Sequence, residues 1–305
     1  MSRFISSGGA IRIETADYSR QSEQLHALRQ AVFVDEQRIS AELECDALDP
    51  LSHHVIALSA NDQIIGTGRL TPQHRIGRMA VAAGWRNRDV GAALLQELVA
   101  EARRRRWGEV TLHAQVGARA FYVRNGFLPE GPEFEEAGIL HQAMRRRLDG
   151  AMHVQDATQG IAAATAVVHR ARRRLLLHCQ GNDPVLHGQS LLQSLRHFAG
   201  ARHDKQVWIL LHGGNPQALP APLQALMQRL PSVFLLRGPV DQVDAQDISA
   251  TLINDTGDCY FRPMGERPEG ELSLDSPAPA QMHETRFQRM WERAPDCPGL
   301  RVLGI

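Results

Sequence analysis

The stretch Met79-Ala-Val-Ala-Ala-Gly-Trp-Arg-Asn-Arg-Asp-Val-Gly-Ala-Ala-Leu-Leu-Gln-Glu-Leu98 decides the fold of the first half of the chain. It starts at the end of a short apolar run, Ile76 to Val81, which is typical of a buried strand. From Ala92 to Trp107 the residues are good helix formers, and the apolar ones recur at helical spacing. Because Arg86-Asn-Arg-Asp-Val-Gly91 lies between these segments, the sequence predicts a strand, a tight basic turn and a helix start.

The predicted turn is suited to bind an anion. The first N–H groups of a helix have no acceptor within the helix, and the positive end of the helix dipole lies beside them. Gly91 allows a ligand to approach the backbone closely, and Arg86 and Arg88 add positive charge. A phosphate group is the anion that this combination favours.

Length and charge limit the classes of protein to which the chain can belong. A chain of 305 residues favours two domains, which we place at 1–150 and 151–305 with a short join at Asp149-Gly-Ala-Met152. Acidic and basic residues number 34 each, so bulk charge does not favour a nucleic-acid-binding protein, and Arg103 to Arg106 are interpreted as a solvated helix end. Since no apolar run approaches the roughly 20 residues of a membrane span and no signal peptide is recognisable, we expect a cytoplasmic protein that binds neither nucleic acid nor membrane.

The four cysteines do not indicate a metal site. Cys45, Cys179, Cys259 and Cys297 lie far apart, and the sequence has no CxxC pair and no Cys/His cluster at metal-ligand spacing. The sequence therefore predicts reduced cysteines and no bound metal.

The other segments of the first half follow a regular succession. A strand (10–15) and a helix (18–34) precede an acidic loop (35–50), and a hairpin (53–60 and 63–70) leads to the central stretch. A strand (109–114), a short helix (118–124) and the last strands complete it. The acidic loop carries six carboxylates. These carboxylates are either a solvated surface or a recognition site for a cationic substrate, and the sequence leaves both open.

This succession resembles the GNAT N-acetyltransferase superfamily over residues 10–148. Arg86-Asn-Arg-Asp-Val-Gly91 is similar to the family's Arg/Gln-x-x-Gly-x-Gly/Ala signature, with Asp89 in place of the first glycine. That carboxylate either lies near the phosphate or caps the helix. Ala120-Phe-Tyr-Val-Arg-Asn-Gly-Phe127 matches a second motif, and Arg29–Gln37 and Gly138–His141 resemble the ElaA-like and YjcF-like branch. The resemblance implies an α/β (α+β) fold with a mixed central sheet flanked by helices.

The resemblance also implies the chemistry. Acetyl-CoA would be the cosubstrate, and an amine of a small molecule or protein would attack its thioester directly. Tyr122 would touch the coenzyme and act as general acid toward the departing thiolate. The other coenzyme-binding residues implied are Met79, Ala80, Val81, Arg86, Asn87, Arg88, Asp89, Val90, Gly91 and Ala92. The base that deprotonates the amine stays open among Glu36, Glu44, His113, Glu136 and His141. A catalytically weak acyl-CoA sensor is the alternative hypothesis.

The second half alternates helices and strands, which predicts a second α/β domain. It faintly resembles one half of a phospholipase D-like fold, but the catalytic His-x-Lys-x-x-x-x-Asp motif is missing. His203-Asp-Lys205 begins that motif, and Leu210 stands where its aspartate belongs. We therefore expect a non-catalytic domain that is regulatory, substrate-restricting or oligomer-forming, and a second copy of the chain is among the expected partners.

Overall fold

The computed structural model describes residues 2–6, 9–202, 204–213, 215–238 and 242–297. Backbone contacts divide the chain into two compact units. The first unit comprises residues 1–119 and 130–149, and the second comprises residues 120–129 and 150–305. This division and the predicted boundary at residue 150 differ in the placement of residues 120–129.

The first unit contains two sheets. The strands of the five-stranded antiparallel sheet, in spatial order, are β1 (Ser2–Ser6), β2 (Gly9–Ala16), β3 (His53–Leu58), β4 (Ile64–Leu70) and β5 (Ile76–Val81). The second sheet has three strands, β6 (Glu109–Gln115), β7 (Leu128–Glu136) and β8 (Ile139–Arg147), with β8 in the centre. The predicted strands of this half are confirmed to within a few residues.

The two sheets meet at the start of β5 and β6. The N–H of Thr111 donates to the carbonyl of His74 at 3.1 Å, and a parallel bridge joins Arg75 to Thr111. Beyond that bridge, β5 pairs with β4 alone among the described strands. The edge of β5 that faces away from β4 is therefore available to an extended ligand.

The helices of this half are α1 (Tyr18–Arg29), α2 (Ala41–Glu44), α3 (Val90–Arg104) and α4 (Arg119–Arg124), the last of which spans the division between the units. The predicted helix 18–34 is α-helical only as far as Arg29. It continues as a π-helix, Gln30–Glu36, in which the N–H of Gln37 reaches back to the carbonyl of Val32 at 3.3 Å. The widened turn satisfies the backbone before the chain enters the 35–50 loop, where short helices form at Ala41–Glu44 and Asp49–Leu51.

Helix α3 packs its apolar face on the five-stranded sheet. Leu94 and Leu98 are completely buried there. A Cβ on Gly68 would lie 3.0 Å from Leu98 Cδ1 and 2.5 Å from Met79 Sδ, so a larger residue here would require these two side chains to move. This close packing fixes the start of α3 relative to the end of β5.

The second unit contains a seven-stranded sheet with helices. In spatial order its strands are β12 (Phe234–Arg237), β11 (Gln206–Leu211), β10 (Arg174–Cys179), β13 (Ala250–Asn254), β14 (Cys259–Arg262), β15 (Gly270–Ser273) and β9 (Met152–Val154). The first three are parallel, and the remaining pairs are antiparallel. Its helices are α5 (Ala157–Arg170), α6 (Gln189–Gly200), α7 (Ala221–Arg229), α8 (Gln242–Ala245) and α9 (Pro277–Arg293).

One apolar cluster of the second unit lies between α9 and the strands β10, β11 and β13. Phe287 and Trp291 of α9 pack in one cluster with Leu176, Leu210 and Ile253 of three neighbouring strands. The alternation of helices and strands predicted for this half is confirmed. Strands β9 and β15, which pair with each other, were not predicted.

Candidate functional site

The turn between β5 and α3 is the first part of the candidate site. Residues 86–89 are exposed, and Val90, Gly91 and Ala92 form the first turn of α3, so their N–H groups have no acceptor within the helix. Asn87 and Asp89 both have left-handed backbones, with φ of 58° and 60°. The described structure therefore presents a row of free backbone donors at a helix start.

Asp89 occupies the position that immediately precedes α3. Its side chain makes no capping hydrogen bond, so the helix-cap interpretation of this carboxylate lacks the contact it needs. The left-handed φ of 60° explains why a glycine is favoured at this point of the turn.

The Arg86 side chain is exposed but is held by two partners. Its Nη1 and Nη2 atoms bind Glu36 Oε1 and Oε2 at 2.5 and 2.6 Å, and its Nε donates to the carbonyl of Val81 at 3.1 Å. Arg86 thus ties the turn to the end of β5 and to the π-helix. Arg88 lies with its guanidinium carbon 5.3 Å from the ring centroid of Trp85 and carries the exposed positive charge of the turn.

The middle of β5 is irregular at Arg78. The register with β4 shifts between Thr67 and Arg69, and Arg78 has a left-handed φ of 51°. Its guanidinium donates to the carbonyls of Glu44 at 2.9 Å and Leu43 at 2.7 Å, which stabilises this unusual backbone. The bulge changes the direction of the strand just before Met79, Ala80 and Val81.

The carboxylates of the 35–50 loop form ion pairs with arginines. Glu36 binds Arg86, Glu44 binds Arg29, Asp46 binds Arg69 and Arg78, and Asp49 binds both Arg29 and Arg69. Asp35 and Glu42 have no ion pair among the described residues. Four of the six loop carboxylates therefore contribute to the fold.

Asp49 is the centre of this ion-pair cluster and is almost completely buried. Burial alone would raise its pKa, but the hydrogen bonds and charge of Arg29, with the charge of Arg69, lower the pKa to about 2. Glu44 is equally buried and faces Arg29 and His26. A carboxylate held in this way is a poor candidate for a solvent-accessible base.

Two of the predicted base candidates lie together on the three-stranded sheet. His113 Nδ1 is 2.9 Å from Glu136 Oε2, and both side chains are partly exposed. Phe134 packs edge-on against His113 and stacks at 6.1 Å on His141. His141 is buried, with Nδ1 2.8 Å from the carbonyl of Ile139, so of the two histidines only His113 is open to solvent.

Tyr122 lies on α4 and packs edge-on against Phe121 and Phe127. Its hydroxyl has no hydrogen-bond partner within the part of the chain that the structure describes. Burial raises the pKa of Tyr122 to about 12, so the phenol stays protonated at physiological pH.

The second unit contains a histidine pair that the sequence did not indicate. His178 Nε2 and His212 Nε2 lie 2.6 Å apart at the ends of neighbouring parallel strands. Burial, with the charge of His212, lowers the pKa of His178 to about 3. Burial also lowers the pKa of His212, and the hydrogen bond between the two rings joins the neighbouring strands.

Comparison with known proteins identifies the first half. Residues 14–148 match the sequence model of the acetyltransferase (GNAT) domain. The uncharacterized N-acetyltransferase YjcF of Bacillus subtilis is 30% identical over 135 residues, which cover 43% of this chain and 96% of YjcF. The chain belongs to the GNAT acetyltransferase family. GNAT enzymes transfer acetyl groups to amines and use acetyl-CoA as donor, so this chain is an acyltransferase of that class.

Further relatives cover the same region. The uncharacterized protein YyaT of Bacillus subtilis is 28% identical over 127 residues, covering 40% of this chain and 85% of YyaT. The crystal structure of Escherichia coli ElaA matches at 29% identity and a TM-score of 0.40, covering 45% of this chain and 99% of ElaA. An acyl-CoA N-acyltransferase from Pseudomonas aeruginosa matches at 28% identity and a TM-score of 0.41, covering 45% and 99%.

The second half matches a different sequence model. Residues 156–303 correspond to a domain of unknown function, DUF7931. The faint phospholipase D resemblance receives no support from this match, and His203, which would begin its motif, lies outside the described residues. Among the helices of the described ranges, none combines the length and apolar character that crossing a membrane requires.

Proposed function

We propose that the first unit binds acetyl-CoA with its pyrophosphate on the turn at residues 86–92 and transfers the acetyl group to an amine by direct attack. The observation that carries this proposal is the row of free N–H groups at the start of α3, exposed beside Arg88. These donors and the helix dipole attract a diphosphate without any change in the fold.

We infer that the pantetheine arm pairs with the free edge of β5. Met79, Ala80 and Val81 follow the bulge at Arg78 and border the opening between β5 and β6. A backbone N–H on this edge would donate to the thioester carbonyl and stabilise the negative charge that develops on its oxygen. Because the bulge is held by Arg78, this donor would be oriented before substrate arrives.

Tyr122 is the proposed general acid. When the tetrahedral intermediate collapses, the bond between carbon and sulfur breaks and the thiolate takes a proton. The phenol can donate that proton and recover one from the new amide nitrogen, which is still positively charged at that stage. A pKa of about 12 keeps this proton in place before the reaction.

His113 is the proposed base, with Glu136 as the residue that orients it. Their contact uses Nδ1 of the imidazole, which leaves Nε2 to accept a proton from the substrate ammonium directly or through water. Glu44 is not proposed as the base, because its carboxylate is buried against Arg29.

The acceptor is proposed as an amine of a small molecule or peptide. The second domain, residues 151–305, is proposed to be regulatory or to form oligomers. The cytoplasmic location and the absence of nucleic-acid partners stay predictions.

The test is a two-part assay on the full chain. Release of free thiol from acetyl-CoA is measured with a panel of primary amines, and binding of acetyl-CoA is measured by thermal shift. We expect turnover with at least one amine and a rise in melting temperature. If neither is seen, the proposed function is wrong. Binding without transfer, unaffected by Tyr122→Phe, would instead support the acyl-CoA sensor.

A further inference from the structure

Three metal-ligating atoms converge where α1 meets the chain just after α2. His26 Nδ1 lies 3.0 Å from Glu44 Oε2 and 3.0 Å from Cys45 Sγ, and the thiol lies 2.8 Å from the same carboxylate oxygen. An imidazole nitrogen, a thiol and a carboxylate oxygen are the three ligand types that zinc prefers in proteins. Each of the three atoms is a near neighbour of the other two.

Two of these side chains are oriented by contacts with residues outside the cluster. His26 Nε2 lies 2.8 Å from the hydroxyl of Tyr18, so a proton on Nε2 can be donated to that oxygen and leave Nδ1 free as a ligand. Glu44 Oε1 faces Arg29 Nε in an ion pair, which directs Oε2 toward His26 and Cys45. Such outer contacts are characteristic of metal-binding histidines and carboxylates.

Asp49 also lies nearby, but its oxygens are occupied. One ligand atom each from His26, Cys45 and Asp49 lies within 4.8 Å of the other two. However, both oxygens of Asp49 accept from Arg29, and Arg69 adds a further ion pair. Glu44 faces one guanidinium group, that of Arg29 at Oε1, and keeps Oε2 for an ion, whereas Asp49 faces two guanidinium groups and has no free oxygen. Glu44 is therefore the better third ligand.

Hydrogen bonds cannot account for all three contacts at the same time. The imidazole has one hydrogen at most on Nδ1, and that hydrogen can be directed either to Glu44 Oε2 or to Cys45 Sγ. In a tetrahedral zinc site neighbouring ligand atoms lie roughly 3.3–3.6 Å apart, given the usual zinc–ligand bond lengths. A small rotation of the exposed Cys45 side chain can open its two contacts. The contact of His26 with Glu44 would have to lengthen by about 0.4 Å, through movement of the partly exposed His26 ring.

We propose that His26, Glu44 and Cys45 form a binding site for zinc or a similar divalent transition-metal ion. The ion joins α1 to the 35–50 loop, and its fourth position faces solvent on the side of Cys45. This site is separate from the proposed acetyl-CoA turn. It also differs from the expectation of no bound metal, which was based on the spacing of cysteines along the sequence.

Cobalt titration of the full-length, metal-stripped protein tests the site. Cobalt replaces zinc in tetrahedral sites, and a cobalt–thiolate bond produces a charge-transfer band in the near ultraviolet. We expect this band to grow to saturation at one ion per chain and to disappear when zinc is added. Zinc should also raise the melting temperature of the stripped protein. Absence of the band at saturating cobalt would overturn the proposal.

Matched variants locate the bound ion. Cys45→Ser should abolish the band, and His26→Gln should weaken cobalt binding by roughly tenfold or more. Cys297→Ser removes a partly exposed cysteine of the second unit and should change neither the charge-transfer band nor the affinity for cobalt. A band that survives in Cys45→Ser would show that the ion binds elsewhere.

Alkylation of the wild-type protein gives a second measurement that does not depend on the folding of a variant. Zinc should slow the labelling of Cys45 by iodoacetamide, detected by peptide mass spectrometry, while the labelling of Cys297 keeps its rate. Equal rates at Cys45 with and without zinc would contradict the proposed site.

Discussion

The 35–50 loop and the turn at residues 86–92 are both rich in charge, and the fold uses them in opposite ways. In the loop, Glu44 and Asp49 are buried and paired with Arg29. In the turn, Arg88 stays exposed and the N–H groups that open α3 are free. A charged group is therefore available to a ligand only where the fold has not already paired it.

We expect the largest effect on stability from Arg29, which pairs with the buried carboxylates of the loop. Arg29→Met would leave Asp49 and Glu44 without their shared partner, and breaking a buried ion pair from one side costs about 3–5 kcal/mol. Arg86→Met, which removes a partly exposed pair with Glu36, should lower the free energy of unfolding by less than about 1 kcal/mol. Urea unfolding of both variants measures the difference. Equal losses of unfolding free energy in the two variants would show that the buried loop pairs stabilise the fold no more than a surface pair does.

The exposed pair of His113 and Glu136 is expected to take part in catalysis. His113→Gln and Glu136→Gln should each lower kcat, by roughly 100-fold for the proposed base His113 and less for Glu136. Glu133→Gln, on the same strand and paired with Arg119, is the matched control and should keep its kcat. Full activity of His113→Gln would show that another residue is the base.

The third prediction uses the pH dependence of stability. The folded-state pKa of Asp49, about 2, lies below its ordinary value of 3.8, so this carboxylate stabilises the fold above pH 3.8 and loses that contribution as the pH falls toward 2. The contribution is about 2 kcal/mol. Hydrogen exchange of peptides from the first unit, followed as the pH falls from 3.8 toward 2, measures this contribution to stability. In Asp49→Asn the acid dependence should be flatter, and an unchanged slope would show that other groups cause it.

The sequence predicted those parts of the fold that repeat within a short window. The strands around the turn and helix α3 are confirmed because alternation and helical spacing extend over enough residues to be recognised. The π-helix at Gln30–Glu36 was missed because the apolar residues Leu28, Val32 and Phe33 recur at a spacing that is also typical of an α-helix. Strand β9 was missed because it is recognised only through its pairing with β15, more than 100 residues later in the chain.

The site was less predictable for the same reason. The ion pair of Arg29 with Asp49 joins residues 20 positions apart, and the contact of His26 with Cys45 joins residues 19 positions apart. Neither spacing corresponds to a motif, so the loop carboxylates remained ambiguous and a metal site was not expected. His113 and Glu136 were both named as candidates, but only the pairing of strands in the second sheet shows that they are neighbours.

The smallest expected effect lies at Asp89, where the turn itself can be examined. Asp89→Gly relieves a left-handed backbone and should stabilise the fold by up to about 1 kcal/mol, because the side chain makes no capping hydrogen bond. If pyrophosphate binds here, removal of the carboxylate should also tighten acetyl-CoA binding a few-fold.

Asp89→Asn separates the two effects, since it removes the charge and keeps the Cβ at the strained position. We therefore expect both variants to gain affinity in calorimetric titration and only the glycine variant to gain stability. A large loss of affinity in both would mean that the carboxylate itself takes part in binding.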